Sequence, residues 1–237
     1  MPRPPTTSDL YRTVVHLACS QGNATTEAQA VADTWGQFSG PANVKTWDGR
    51  SLCYYQAGTP WATNTVDGQQ NIEVSQLLRD GNGQCNSWRE FLESAWGVNG
   101  VDSQMATVSS PNQYFLVKNW TANTPTSVAT APYVYSLSLT PYANGSSWTT
   151  AFGCTGDLIN DNGISGQNSA TPAEKLFGRH FIQKYNGIYY DPSYGVTYSS
   201  TADFQTKAVN GFAVPDDAPY QMLVKLPTSM IEIQINP

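Results

Sequence analysis

Residues 180–191 read His180-Phe181-Ile182-Gln183-Lys184-Tyr185-Asn186-Gly187-Ile188-Tyr189-Tyr190-Asp191. Two runs rich in aromatic and branched residues flank Asn-Gly, a strong short-range sign of a hairpin closed by a two-residue turn. With Asn186 and Gly187 as that turn, Tyr185 faces Ile188, Ile182 faces Asp191 and His180 faces Ser193. Opposed residues and their i±2 neighbours share a sheet face, so His180, Ile182, Asp191 and Ser193 lie together. His180 and Asp191 become diagonal neighbours, about 7–8 Å apart at the backbone. A carboxylate at that offset reaches an imidazole nitrogen, fixes its tautomer and favours imidazolium. A solvated His and Asp on an exposed sheet face would fit the same spacing.

Working towards the N-terminus, residues 85–96 carry Trp88, Phe91, Leu92 and Ala95 at helical spacing, and Gly97 ends the run. This is the clearest amphipathic helix in the chain. Residues 10–18 and 27–38 have similar patterns, with Thr25 or Thr26 placed to cap the second, and residues 73–79 suit a short helix stopped by Gly81 and Gly83. Residues 44–47 and 52–55 around Asp48-Gly49 suggest a second hairpin. Residues 105–108, 114–120 and 230–236 read as strands. From 103 to 156 Lys118 is the single charge amid Ser, Thr, Asn, Pro and Tyr, which suits β-structure with polar loops. The fold class expected is α+β, helices against an antiparallel sheet, with the 85–96 helix central and His180 and Asp191 on the sheet.

Cys85 falls at the start of that central helix, behind the flexible Asp80-Gly81-Asn82-Gly83-Gln84. The unpaired N–H groups and dipole of a helix N-terminus favour negative charge there, which turns a thiol into a better nucleophile. Cys85 also leads the stripe that includes Trp88 and Leu92, so it faces inward. A buried small hydrophobe is the other role a free cysteine in that stripe can fill.

Together these segments resemble the transglutaminase-like superfamily, papain-like Cys-His-Asp thiol enzymes. The resemblance rests on Gly83-Gln84-Cys85 with Trp88, Phe91 and Leu92 behind it. It rests equally on His180-Phe181-Ile182 followed by Tyr185 to Asp191, then Pro192-Ser193-Tyr194-Gly195. It covers roughly residues 80–100 and 178–195, and His180 and Asp191 are closer in sequence than in many members. The resemblance implies a catalytic triad of Cys85, His180 and Asp191 acting through a thioester on protein or peptide amides. Cysteine peptidase or amidase action is preferred, with protein-glutamine transglutaminase or deamidase action and a non-catalytic binding or structural module as alternatives. Arylamine acetyl transfer would want Arg-Gly-Gly before the cysteine, where Asn82-Gly83-Gln84 stands. The oxyanion should meet the Cys85 N–H and one side-chain donor. Gln84 and Trp61 lead the candidates, with Trp47, Gln69 and Gln70 behind them. Gly166-Gln167-Asn168 reads as a surface turn that can border the cleft.

Composition narrows the partners. The 237 residues hold 12 Lys and Arg against 18 Asp and Glu, a net charge of −6. No two basic residues are adjacent, so the clustered footprint of a nucleic-acid binder or a polybasic membrane patch is absent. No apolar run is long enough to span a bilayer, so no membrane insertion is expected. Two histidines and four cysteines without a CxxC or HExxH motif argue against a zinc site, and no metal is expected. The acidic loop 157–163 has Leu158 where an EF-hand with Gly163 at position six needs Asp. No phosphate-binding loop is present, and no cofactor is expected. His16 and Cys19, at i and i+3 on the first helix, read as core residues, and Cys19–Cys53 could pair as a disulfide in an exported protein. Residues 1–8 read as a linker or remnant of a longer precursor, and residues 9–237 as one domain. No signal peptide is visible, yet low charge and Asn, Thr and Tyr richness lean towards an extracellular or surface-attached, secreted protein.

Overall fold

The computed structural model describes residues 11–40, 44–54, 72–110, 114–117, 133–139, 148–154, 166–168, 176–215, 223–226 and 233–237. In chain order the elements begin α1 (Arg12–Cys19), α2 (Glu27–Gly36), β1 (Cys53–Tyr54), α3 (Val74–Asp80), β2 (Asn82–Gly83) and α4 (Cys85–Val98). Then follow β3 (Gln104–Ser109), β4 (Tyr114–Val117), β5 (Tyr133–Leu139), β6 (Trp148–Cys154), β7 (Leu176–Phe177), β8 (Arg179–Tyr185) and β9 (Ile188–Asp191). The chain closes with β10 (Val196–Tyr198), α5 (Thr201–Ala208), β11 (Val209–Pro215), β12 (Leu223–Leu226) and β13 (Gln234–Asn236). Mixed helix and antiparallel sheet make this an α+β chain, as expected.

The main sheet has the order β10-β9-β8-β3-β13, every pair antiparallel. A second antiparallel sheet runs β12-β11-β4-β7, β5 pairs with β6, and the short β1 and β2 pair in parallel. Helix α4 lies against β8, and α1, α2 and α3 pack around α4. The stripe read from sequence is the reason α4 is central: Trp88, Phe91, Leu92, Ala95 and Trp96 are all fully buried. Burying a side chain such as Phe91 or Leu92 contributes about 1.5–3 kcal/mol. Phe38 from the end of α2 meets Trp88 and Phe91 edge-on at 6.4 and 5.3 Å, and Trp96 meets Tyr190 of β9 at 4.9 Å. The helical layer and the hairpin therefore share one core.

The hairpin has the register set by its turn, with Tyr185 opposite Ile188, Lys184 opposite Tyr189 and Gln183 opposite Tyr190; the paired ladder ends there, short of the expected Ile182–Asp191 and His180–Ser193 pairs. Asn186 and Gly187 both have positive φ, 46° and 79°, as a type I′ turn demands. The Asp48-Gly49 turn also forms, but its flanks are joined by a single Lys45–Ser51 bridge and not by two regular strands. Helix α3 ends on Gly81 in the left-handed conformation, φ 78°.

Some expectations fail. His16 and Cys19 are exposed, because α1 buries Thr13, Val14 and Leu17 instead. Cys19 and Cys53 are separate free thiols. Helix α5 has no counterpart among the expected elements, although Ser200 caps it by accepting from Asp203 N at 3.1 Å. None of the described helices is long and apolar enough to cross a membrane. The acidic loop 157–163, Trp61, Gln69 and Gln70 lie outside the described residues.

Candidate active site

Three elements bring the sequence-predicted residues together. Cys85 is the first residue of α4, His180 sits in β8 and Asp191 ends β9. Their exposures are 7%, 1% and 1%, so the three groups are held in the core. The His180 Nε2 and Asp191 Oδ2 atoms are 2.8 Å apart. Asp191 uses its other oxygen, Oδ1, to accept from Ser193 N at 3.1 Å, an Asx turn through Pro192. A carboxylate engaged at both oxygens cannot swing away from the ring.

The ring itself is clamped. Phe177 meets it edge-on at 5.2 Å and Tyr194 lies on another side at 5.8 Å. Nε2 belongs to Asp191, which leaves Nδ1 as the ring atom for a nucleophile, and Nδ1 makes no hydrogen bond of good geometry. Burial pushes the His180 proton affinity down. The charge and hydrogen bond of Asp191, then the nearby Cys85 thiol, outweigh it and raise the pKa to about 10. Asp191 and Cys85 are thus the two side chains that act on the imidazole, and both favour imidazolium.

The Cys85 end is built differently. Its helix starts from Gln84, whose side chain does not cap it. Ser87 Oγ donates to Gln84 O at 2.8 Å, and a Cβ on Gly83 would overlap that hydroxyl, so only glycine fits there. Trp88 Nε1 donates to Cys53 O at 3.3 Å, tying α4 to β1. Gln84, the residue before Cys85, is buried and its Nε2 has no hydrogen-bond partner among the described residues. Trp47 is removed from the oxyanion candidates: it is 44% exposed at the tip of the 46–50 turn, under the guanidinium of Arg12.

The segment 166–168 is not a plain surface turn. Gln167 is 2% exposed; its N–H donates to Ser193 O at 2.9 Å, and its carbonyl accepts from Tyr54 N at 2.8 Å. Its side-chain amide donates to Phe38 O, while Asn168 Nδ2 donates to Val44 O and Leu52 O, each at 2.7 Å. Gly195, φ 67°, passes so close to the carbonyls of Phe38 and Gly40 that a side chain would collide with them. This strap fixes the turn that carries Asp191. Sequence reading did not name Phe177 as part of the site, quoted Tyr194 only within the resemblance, and took 166–168 for a surface turn that can border the cleft. The Asp-Pro-Ser-Tyr-Gly run could have signalled the Asx turn, whereas nothing local announces Gln167.

No protein-family model, curated protein or solved structure matches this chain.

Proposed function

We propose that the chain is a transglutaminase-like thiol enzyme that hydrolyses or transfers acyl groups at protein or peptide amides, with Cys85, His180 and Asp191 as its triad. The observation that carries this is the buried His180–Asp191 pair, 2.8 Å at Nε2, with Nδ1 left for a thiol at a helix start. In the proposed reaction the Cys85 sulfur attacks the amide carbonyl carbon, forming a C–S bond and a tetrahedral oxyanion. The Cys85 N–H and Gln84 Nε2 would meet that oxyanion, and Trp61 is the other candidate donor. The C–N bond then breaks, with the leaving amine taking the His180 proton. Water, deprotonated by His180, hydrolyses the thioester and regenerates the thiolate–imidazolium pair. Peptidase or amidase action is preferred, and glutamine deamidation or amine incorporation would use the same groups.

One observation favours a second reading, a non-catalytic transglutaminase-like module. The three residues are all buried, so a substrate has to reach a thiol that is 7% exposed. Site-resolved alkylation by iodoacetamide against pH, in the wild type and His180→Ala, separates the two. An enzyme shows Cys85 reacting well below about pH 8.5, where an ordinary thiol ionises, and losing that reactivity without His180. Cys53, whose thiol burial pushes up, supplies an unreactive reference. A Cys85 that is inert, or that reacts identically in both proteins, overturns the enzymatic proposal. New amino termini, ammonia release and amine incorporation then distinguish peptidase, deamidase and transferase.

A further inference from the structure

Three of the twelve basic residues of this acidic chain, Arg12, Arg50 and Arg79, line one cleft of about 330 Å³. Its walls are the start of α1, the 46–50 turn and α3, and its size falls at the lower end of small-ligand sites. We propose that this cleft binds an oxyanion, a carboxylate or phosphate group carried by a ligand, with Arg12 as its principal contact.

The three guanidiniums have different duties. Arg50 Nη1 donates to Arg79 O at 2.7 Å and Nη2 donates to Leu78 O, closing the carbonyl end of α3. Arg79 forms a two-pronged pair with Asp80 at 2.9 and 3.0 Å. Arg12 makes no hydrogen bond or ion pair among the described residues. Its guanidinium carbon lies 3.3 Å from the centre of the Trp47 ring. A guanidinium stacked by its face keeps its N–H donors on its edge, in the fork geometry that matches carboxylate and phosphate oxygens. The Trp47 backbone is itself held in place, because its main-chain N–H donates to the buried Thr13 Oγ1 at 3.3 Å. The platform is therefore built before any ligand arrives. Helix α1 adds to the field: its first turn has no acidic residue, and the Tyr11 side chain makes no capping bond.

Asp48 is the opposing charge in the cleft. The Thr46 hydroxyl, outweighing a desolvation effect, and then its own backbone, Arg50 and Arg12 hold its carboxyl below the usual range, so it is ionised near neutrality. With Arg79 already paired to Asp80, Arg12 and Arg50 stand against Asp48, and removal of Asp48 should strengthen an anion site. The site shares no residue with Cys85, His180 or Asp191, so it stands or falls apart from the proposed activity.

Titration of the full chain with sodium phosphate and, separately, sodium acetate tests this, following the Trp47 indole and Arg12 side-chain N–H signals by NMR with sodium chloride as control. Saturable shifts at those two residues are expected, weakened about tenfold or more by Arg12→Gln and weakened by added salt. Asp48→Asn, which keeps an acceptor for Thr46, should tighten binding. The anion that saturates first identifies the carboxylate or the phosphate as the favoured group. Shifts that never saturate or that chloride reproduces overturn the proposal, as does an Arg12→Gln protein of unchanged affinity and unchanged circular dichroism.

Discussion

The two halves of the candidate site are held by different physics. The His180–Asp191 half is tied chiefly by hydrogen bonds, from Ser193 N to the carboxylate and through the Gln167 strap to the turn, with the Phe177 and Tyr194 rings packed against the imidazole. The Cys85 half is held by packing: a helix that starts where Gly83 touches Ser87, anchored by buried Trp88 and Phe91. A base and its orienter need fixed angles, which directional hydrogen bonds provide. A nucleophile needs its sulfur unencumbered, and apolar packing fixes the backbone while leaving the thiol without a capping partner. Substitutions in the first half should therefore alter chemistry more than folding, and substitutions in the second half should do the reverse.

The largest expected effect follows from the carboxylate. Asp191→Asn keeps the shape and can still accept from Ser193 N, but it removes the charge that holds His180 as imidazolium. If the proposed triad operates, kcat on an amide substrate should fall by about 10⁴-fold, the scale of losing the orienting carboxylate in such a triad. The thermal unfolding midpoint should fall as well, because the buried imidazole loses the carboxylate that offsets its desolvation. A variant that keeps more than about a tenth of wild-type kcat would show that Asp191 is a structural partner only.

Next comes Gly83→Ala, aimed at the packed half. The added methyl would overlap Ser87 Oγ and stand 3.2 Å from Leu77 Cδ1, so the start of α4 has to shift. Overpacking of this kind costs about 1–3 kcal/mol, measurable by denaturant titration. Adding Ser87→Ala should recover part of that loss, since the hydroxyl is the nearest obstacle, although Ser87 Cβ remains at 3.2 Å. Additive losses in the double variant would mean that the two residues are not in conflict there.

The same contrast explains what could be read in the sequence. The hairpin was legible because Asn186-Gly187 fixes the register within the turn itself, and register places His180 beside Asp191 without any long-range information. Helix α4 was legible because Trp88, Phe91, Leu92 and Ala95 repeat at the helical period. The strap was not, because Gln167 acts through bonds to Phe38, Tyr54 and Ser193, partners up to 129 positions away that no local pattern encodes. Trp47, named from sequence as a candidate indole donor to the oxyanion, instead stacks under Arg12, a partner 35 positions away that no local pattern encodes. Helix α5 was overlooked although Ser200 and Asp203 form a short capping signal, since Phe204 and Ala208 alone give a weak stripe.

The last prediction concerns pH. Partners raise the folded-state pKa of His180 from 6.5 to about 10, so folding retains a proton that the unfolded chain releases. The resulting stabilisation is fully present below about pH 6.5 and drains away as pH rises towards 10. Denaturant midpoints of the wild type should fall across that window. In His180→Gln, which removes the titrating ring, the fall should be shallower, and the two curves should converge at the alkaline end of the window apart from a constant offset. Parallel curves throughout would mean that the imidazole gains no proton on folding, and that Asp191 orients a neutral ring. The hydrogen-bonded half would then still supply geometry, but the electrostatic holding of imidazolium assigned to it above would be lost.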